Sequence, residues 1–209
     1  MGFAKIGGGG ASAATSQAAW DSTVTTNKTF TNSDFTAETT SNVGNSFVGL
    51  GAVSSGVHLY EIRIDAASGT TNDFFIGLSS SSTPLSTYVG LATNSFGWRT
   101  TLGELARDGL GGTLDASVLP DDFTVTAGTY YQIIVDFDNN RVFCGRNGDF
   151  GGQDPVAGTN PAWSGFSGLT LYRHVSPYYS GLQVTITNPL EGASLLGFAS
   201  SSAINSWGN

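Results

Sequence analysis

Charge is the scarcest thing in this sequence. Of 209 residues only 11% are Asp, Glu, Lys or Arg, against roughly 25% in ordinary soluble domains. Cations are the rarer sign: Lys and Arg number 8 against 16 acids, a net charge of −8. So few cannot form a basic stripe, and nucleic acid is not an expected partner. The lone cysteine, Cys144, excludes an internal disulfide framework. It falls inside a strand pattern and reads as a small buried hydrophobe rather than a nucleophile. No apolar run approaches the roughly 20 residues of a membrane span, so membrane insertion is not expected. After Lys5 and Ile6 come four glycines and Ala/Ser residues, without the apolar middle of a signal peptide.

What is abundant is small and polar. Glycine contributes 29 residues, and Ser and Thr are frequent. A surface so poor in charge is built from hydroxyls, amides and backbone, as is common in all-β proteins that work in assemblies or outside cells.

The most informative stretch is Thr129 to Gly148. Tyr131, Ile133, Val135 and Phe137 alternate with Tyr130, Gln132, Ile134 and Asp136, the period of an extended strand. Asp138-Asn139-Asn140 favours a turn. Arg141 to Cys144 reads as the returning strand, and Asn147-Gly148 as a second tight turn.

Residues 1–19 read as a flexible Gly-rich arm in which Phe3 and Ile6 are the apolar anchors for assembly. Trp20 opens a folded region expected to run to residue 190, followed by a tail over 191–209 that packs on the sandwich or on a partner. Short strands are expected at 28–31, 35–38 and 47–50. Another covers 57–65, with Tyr60, Ile62 and Ile64 facing the core and Glu61 and Arg63 forming a surface ion pair. His58 reads as structural. Further strands are expected at 73–79, 88–90, 95–99, 169–172 and 182–187. Residues 103–112 read as loop, with a possible helical turn over 102–107, and 173–181 as a loop carrying His174, Tyr178 and Tyr179. About a dozen short strands and almost no helix predict a β-sandwich.

The order of these motifs resembles the SPRY (B30.2) family, a concanavalin-like β-sandwich, from Trp20 to about Asn188. The resemblance is carried by Gly56 to Ile62 with Tyr60-Glu61, by Phe75-Ile76-Gly77-Leu78, and by Tyr88-Val89-Gly90 with Ser95 to Trp98. Ile134 to Asp138, Val142-Phe143 and Arg146-Asn147-Gly148 continue it. Arg173 stands where the family often has a proline after Leu-Tyr, and the final strand lacks a clear Asn-Phe-Gly. Trp20, the pair of strands around Asn32 to Thr36, and Asp154 to Thr159 with Pro161-Ala162 look most like SPRY-like modules of bacteriophage structural proteins.

Enzyme signatures are missing. Asp136-x-Asp138-x-Asn140 begins like a calcium loop but has Arg141 and Asn147 where that loop needs glycine and a carboxylate, so it reads as a turn and no metal is expected. A concanavalin-like glycosidase needs two close carboxylates. Glu61 and Asp65 share a strand face but lie about 13 Å apart at ordinary strand rise, with Arg63 between them. Neither a Gly-x-Ser-x-Gly elbow nor a phosphate loop is present, and no cofactor is expected.

Recognition remains. Aromatic rings beside polar groups suit sugar or peptide binding, and the candidate ligand residues are Trp163, Tyr178, Tyr179, Arg173, Trp98 and Tyr88. The resemblance implies binding of peptides or proteins through loops at one end of the sandwich. The expectation is a non-enzymatic virion protein: a head decoration, head fibre or tail-associated subunit, made in the host cytoplasm. It would be held to other virion proteins by its arm, form a homo-oligomer, and contact neighbouring subunits or a host-surface glycan or protein. The alternatives are a free adaptor that binds a peptide and a carbohydrate-active enzyme.

Overall fold

The computed structural model describes residues 19–187, except 24, 34, 42–45, 68–72, 108–109, 115 and 122–123, together with 204–207. The arm anchors Phe3 and Ile6 lie outside the described residues. So does Asp34, within the turn expected between the first two strands.

The strands in chain order are β1 (Lys28–Thr31), β2 (Thr36–Thr39), β3 (Phe47–Val48), β4 (Val57–Ala66), β5 (Phe74–Ser79), β6 (Ser95–Arg99) and β7 (Glu104–Arg107). They continue with β8 (Leu110–Leu114), β9 (Tyr130–Asp136), β10 (Arg141–Arg146), β11 (Trp163–Ser164), β12 (Tyr172–Pro177), β13 (Gln183–Thr187) and β14 (Ile204–Ser206). One sheet runs β1-β2-β13-β4-β9-β10-β11, with β14 added beside β4; the other runs β3-β12-β5-β6-β7-β8. All pairings are antiparallel except β14 with β4. No α-helix occurs among the described residues, and Ala116–Val118 forms one 3₁₀ turn. The chain is therefore an all-β sandwich of two sheets, as the alternation predicts.

Alternation places the core between the sheets. β9 sends Tyr131, Ile133 and Val135 inward, and they meet Phe74, Ile76, Phe96 and Trp98 from the opposite sheet. Asn140 and Asn147 take positive φ of 53° and 52°, and Gly148 follows at 83°, so the two turns of the central hairpin fall at the predicted Asn and Asn-Gly positions. In the first turn Asp136 accepts hydrogen bonds from Asn139 and Arg141. This carboxylate is used inside the hairpin. At the far end of the chain, Trp207 is fully buried against Tyr60 and donates its indole N–H to the Gly51 carbonyl at 2.8 Å.

Several local expectations need correction. Residues 104–107 and 110–114 are strands, not loop or helical turn; β7 is only four residues long and β8 is glycine-rich, so neither carries a clear period. Tyr88-Val89-Gly90 is a turn in the loop that covers the six-stranded sheet. Residues 173–177 belong to β12 rather than to a loop; Arg, His, Ser and Pro disguise a strand that is buried on both faces. The chain before it contributes only an isolated bridge between Leu171 and Val53. Glu61 is buried and does not pair with Arg63. It accepts from Gln132 at 2.7 Å and Thr187 at 2.6 Å, while Arg63 pairs with Asp65.

Gln153 shows how a loop side chain completes a sheet. β11 covers only the first two residues of β10. Further along, the Gln153 amide takes the place of a neighbouring strand: Oε1 accepts the Cys144 N–H at 2.9 Å and Nε2 donates to the Cys144 carbonyl at 2.7 Å. Gln153→Ala leaves both buried groups unpaired, at about 1–3 kcal/mol each. The expected result is a lower urea midpoint with an unchanged slope. An unchanged midpoint would show that water or a neighbour replaces the amide.

Candidate functional site

The exposed aromatic surface gathers at one end of the six-stranded sheet. Phe75 alternates with the core-facing Phe74 and Ile76, so its ring lies on the outer face of β5, where Leu85, Val89 and Ala106 surround it. Tyr88 stacks on Phe75, with ring centroids 5.1 Å apart and planes 20° apart. Tyr178 stacks on Tyr88 at 5.1 Å and 4°. Tyr179 then leans on Tyr178 at 5.1 Å and 50°. Tyr178 and Tyr179 are each 37% exposed. The four rings form a shelf whose inner end is anchored in the sheet.

Charge is fixed beneath the shelf. Arg99, the last residue of β6, lies 5.6 Å from the Tyr178 ring centre and 5.9 Å from that of Phe75. Its Nε and Nη2 both donate to Asp73 Oδ2, at 2.8 and 2.6 Å, and Nη1 donates to Glu104 at 3.2 Å. Thr101 donates to the other Asp73 oxygen, and the Tyr178 N–H donates to the Asp73 carbonyl. Asp73 therefore ties the start of β5 to the end of β6 and to the residue that follows β12. Burial, then Tyr178 and Asp73, push the Tyr88 hydroxyl above its ordinary pKa, against the opposing pull of Arg99. Tyr88 stays a neutral hydrogen-bond donor at physiological pH. The hydroxyls of Tyr88, Tyr178 and Tyr179 bond to none of the described residues.

No family model matches the chain, and no curated protein matches it. Solved structures do. The chain is similar to the SPRY domain of human HERC1, with a TM-score of 0.60 at 18% identity, covering 81% of this chain and 98% of that one. The fold is that of a SPRY domain. The TRIM65 PSpry domain gives a TM-score of 0.57 at 13% identity over 83% of this chain and 93% of its own. A human SPRY domain gives 0.52 at 14% identity over 77% and 94%. Identities this low establish fold alone.

On this SPRY-like sandwich the six sequence-predicted ligand residues divide evenly. Tyr88, Tyr178 and Tyr179 come together on the shelf. Trp98, Trp163 and Arg173 are at most 3% exposed and reach no surface. Trp98 packs edge-on against Tyr131 at 5.3 Å, and Trp163 lies 6.1 Å from Phe96. Arg173 points between the sheets, its guanidinium 5.5 Å from the Tyr60 ring and Nη2 donating to the Leu50 carbonyl. A Cβ on Gly49 would stand 2.5 Å from Arg173 Nε, so glycine there leaves room for the guanidinium. Burial lowers the Arg173 pKa to about 10, against the opposing influence of Tyr60. Sequence reasoning missed Phe75, Asp73 and Arg99, which read as ordinary strand and strand-end residues.

A buried polar network pins the loop that carries Tyr88. His174 and Ser176 face outward from β12, beneath residues 80–94. His174 Nε2 lies 2.9 Å from the Ser81 carbonyl, so that nitrogen carries the proton and Nδ1 accepts from Ser46 Oγ at 3.1 Å. Ser46 Oγ in turn accepts the Leu85 N–H at 2.8 Å, and Ser176 Oγ accepts the Val89 N–H at 2.9 Å. The Ser46 carbonyl accepts from the buried Lys28 ammonium. This serine–histidine contact lacks the features of a nucleophile pair. Both side chains are fully buried, and the far histidine nitrogen meets a carbonyl rather than a carboxylate.

Proposed function

We propose that this chain is a non-catalytic recognition module that binds a segment of another protein on the Tyr88–Tyr178–Tyr179 shelf. The observation that carries this reading is the row of three tyrosines in ring contact whose hydroxyls bond to no described residue, held in place by Asp73 and Arg99. Rigid aromatic rings with free hydroxyls offer apolar area and directed hydrogen bonds at small entropic cost. The SPRY-like fold supports it, because the resemblance implies peptide or protein binding. In its finer form the module is a virion subunit, attached to other virion proteins through residues 1–19 and assembled as a homo-oligomer. The charge-poor composition and the motif resemblance to phage structural modules support that setting.

Selection of an mRNA-displayed random 12-residue peptide library on the whole chain tests the binding reading. The expected result is a set of peptides whose capture is lost with Tyr178→Ala/Tyr179→Ala, while the melting temperature is retained. Capture that is indifferent to both tyrosines would overturn it. Sedimentation of the chain with and without residues 1–19 tests the assembly reading, which expects an oligomer that falls to monomer on truncation.

A further inference from the structure

We infer that the partner segment is basic, and that its Lys or Arg side chains meet the exposed ring of Tyr179 and, separately, the unpaired carboxylate oxygen of Glu104. This inference rests on the shelf being a binding site. Two features of the molecule carry it.

The first is the fate of the chain's own cations. Every described one is turned to an acceptor inside the fold. Lys28 donates to the Ser46 carbonyl, Arg63 pairs with Asp65, Arg141 with Asp136, and Arg107 reaches the Ser164 and Gly165 carbonyls. Arg146 donates to the Thr124 carbonyl and Arg173 to Leu50. With a net charge of −8, the outward field is acidic, which raises the encounter rate of a basic partner and lowers that of an acidic one.

The second is the local balance at the shelf. Asp73 and Glu104 both hold Arg99, two carboxylates on one guanidinium. Asp73 spends both oxygens, on Arg99 and Thr101. Glu104 gives Arg99 only Oε2; its Oε1 has no partner among the described residues, and its side chain is 38% exposed. One formal negative charge is left over in the Asp73–Arg99–Glu104 cluster. Tyr88 has a ring on each face, Phe75 and Tyr178, whereas Tyr179 carries no parallel ring among the described residues. An exposed ring without a parallel neighbour attracts a cation through its quadrupole, and a carboxylate oxygen without a partner attracts one by charge. An anionic ligand would meet Glu104 and an already neutralised arginine.

Two fluorescein-labelled 12-residue peptides, identical except that four arginines in one are glutamines in the other, test this by fluorescence polarisation on the whole chain. The arginine peptide is expected to bind at least tenfold more tightly at low salt, with the difference shrinking as salt rises. Tyr179→Ala is expected to weaken it about tenfold, while Tyr179→Phe, which keeps the π face, stays within about twofold. Glu104→Gln is expected to reduce the preference for arginine over glutamine with little change in melting temperature. Equal binding of the two peptides, or of neither, would overturn the basic-segment inference. So would an arginine preference that survives both Tyr179→Ala and Glu104→Gln. Peptides selected from the random library that depend on Tyr178 and Tyr179 yet lack basic residues would refute this inference and leave the shelf reading intact.

Discussion

Gly97→Ala is expected to destabilise the domain more than any surface substitution, by about 3 kcal/mol or more. Gly97 lies in β6, opposite Gly77 of β5, and its outer side is crossed by the loop that carries Tyr88. A Cβ there would stand 2.1 Å from the Val89 carbonyl oxygen and 2.7 Å from its carbon. Those are backbone atoms, and the Val89 N–H is tied to Ser176 while the Gly90 N–H is tied to Ser95. The loop cannot give locally and must lift. Gly90 faces the same limit from the other side: its φ is +94° and a Cβ would lie 2.8 Å from the Gly97 nitrogen. In a domain of this size the loss corresponds to a melting temperature lower by about 6–12 °C. Near-UV circular dichroism should also change in any folded fraction, because Tyr88 rides on the displaced loop and its stacking on Phe75 and Tyr178 is disturbed. Gly152→Ala is the control, since its nearest neighbour would be an ordinary 3.5 Å away. Equal melting temperatures for the two variants would refute the close-approach account.

Acidification is expected to cost on the order of 3 kcal/mol through His174 alone. Burial lowers the His174 pKa from its ordinary 6.5 to about 4; the Ser81 carbonyl opposes this and the Lys28 ammonium adds to it. Between pH 6.5 and 4 the unfolded chain binds this proton and the native chain does not. Stability is therefore fully present above pH 6.5, falls as pH drops toward 4, and levels off below that. Asp136 titrates in a different window. Burial pushes its carboxyl up, but Arg141 and Asn139 outweigh burial and hold it below its ordinary 3.8. Its contribution is present above that value and is lost only in stronger acid. Urea unfolding across pH 7 to 4 should show a slope approaching about 1.4 kcal/mol per pH unit from His174. His174→Gln should remove that component. A variant slope equal to the native one would mean that His174 titrates normally and that its burial is relieved in solution. Because His174 holds Ser81, and Ser46 holds Leu85, the first structural consequence should be loosening of the loop over the tyrosine shelf.

The sequence by itself determined the central hairpin and the class of fold. Strict alternation from Tyr130 to Phe137, asparagines able to take positive φ, and an Asn-Gly turn are local signals, and each acts within a few residues. Frequent short strands then required two sheets packed face to face. Local reasoning also picked out Tyr88, Tyr178 and Tyr179, because large rings in turn-rich segments attract notice. It could not separate them from Trp98, Trp163 and Arg173, since burial belongs to the whole fold rather than to a residue's neighbours in the chain. β12 escaped for a related reason: a strand covered on both sides can carry His174 and Ser176 under a loop and Arg173 in the core, and so loses the polar-outside alternation. Tertiary structure alone assembled the candidate site. The register of β12 against β5 sets Pro177 opposite Phe74, which brings Tyr178 to Asp73. The two glycines at 90 and 97 then let the covering loop approach closely enough for Tyr88 to stack between Phe75 and Tyr178. Residues 75, 88, 99 and 178 are spread along a long stretch of chain, and only backbone pairing across the sheet and one close crossing over it make them neighbours.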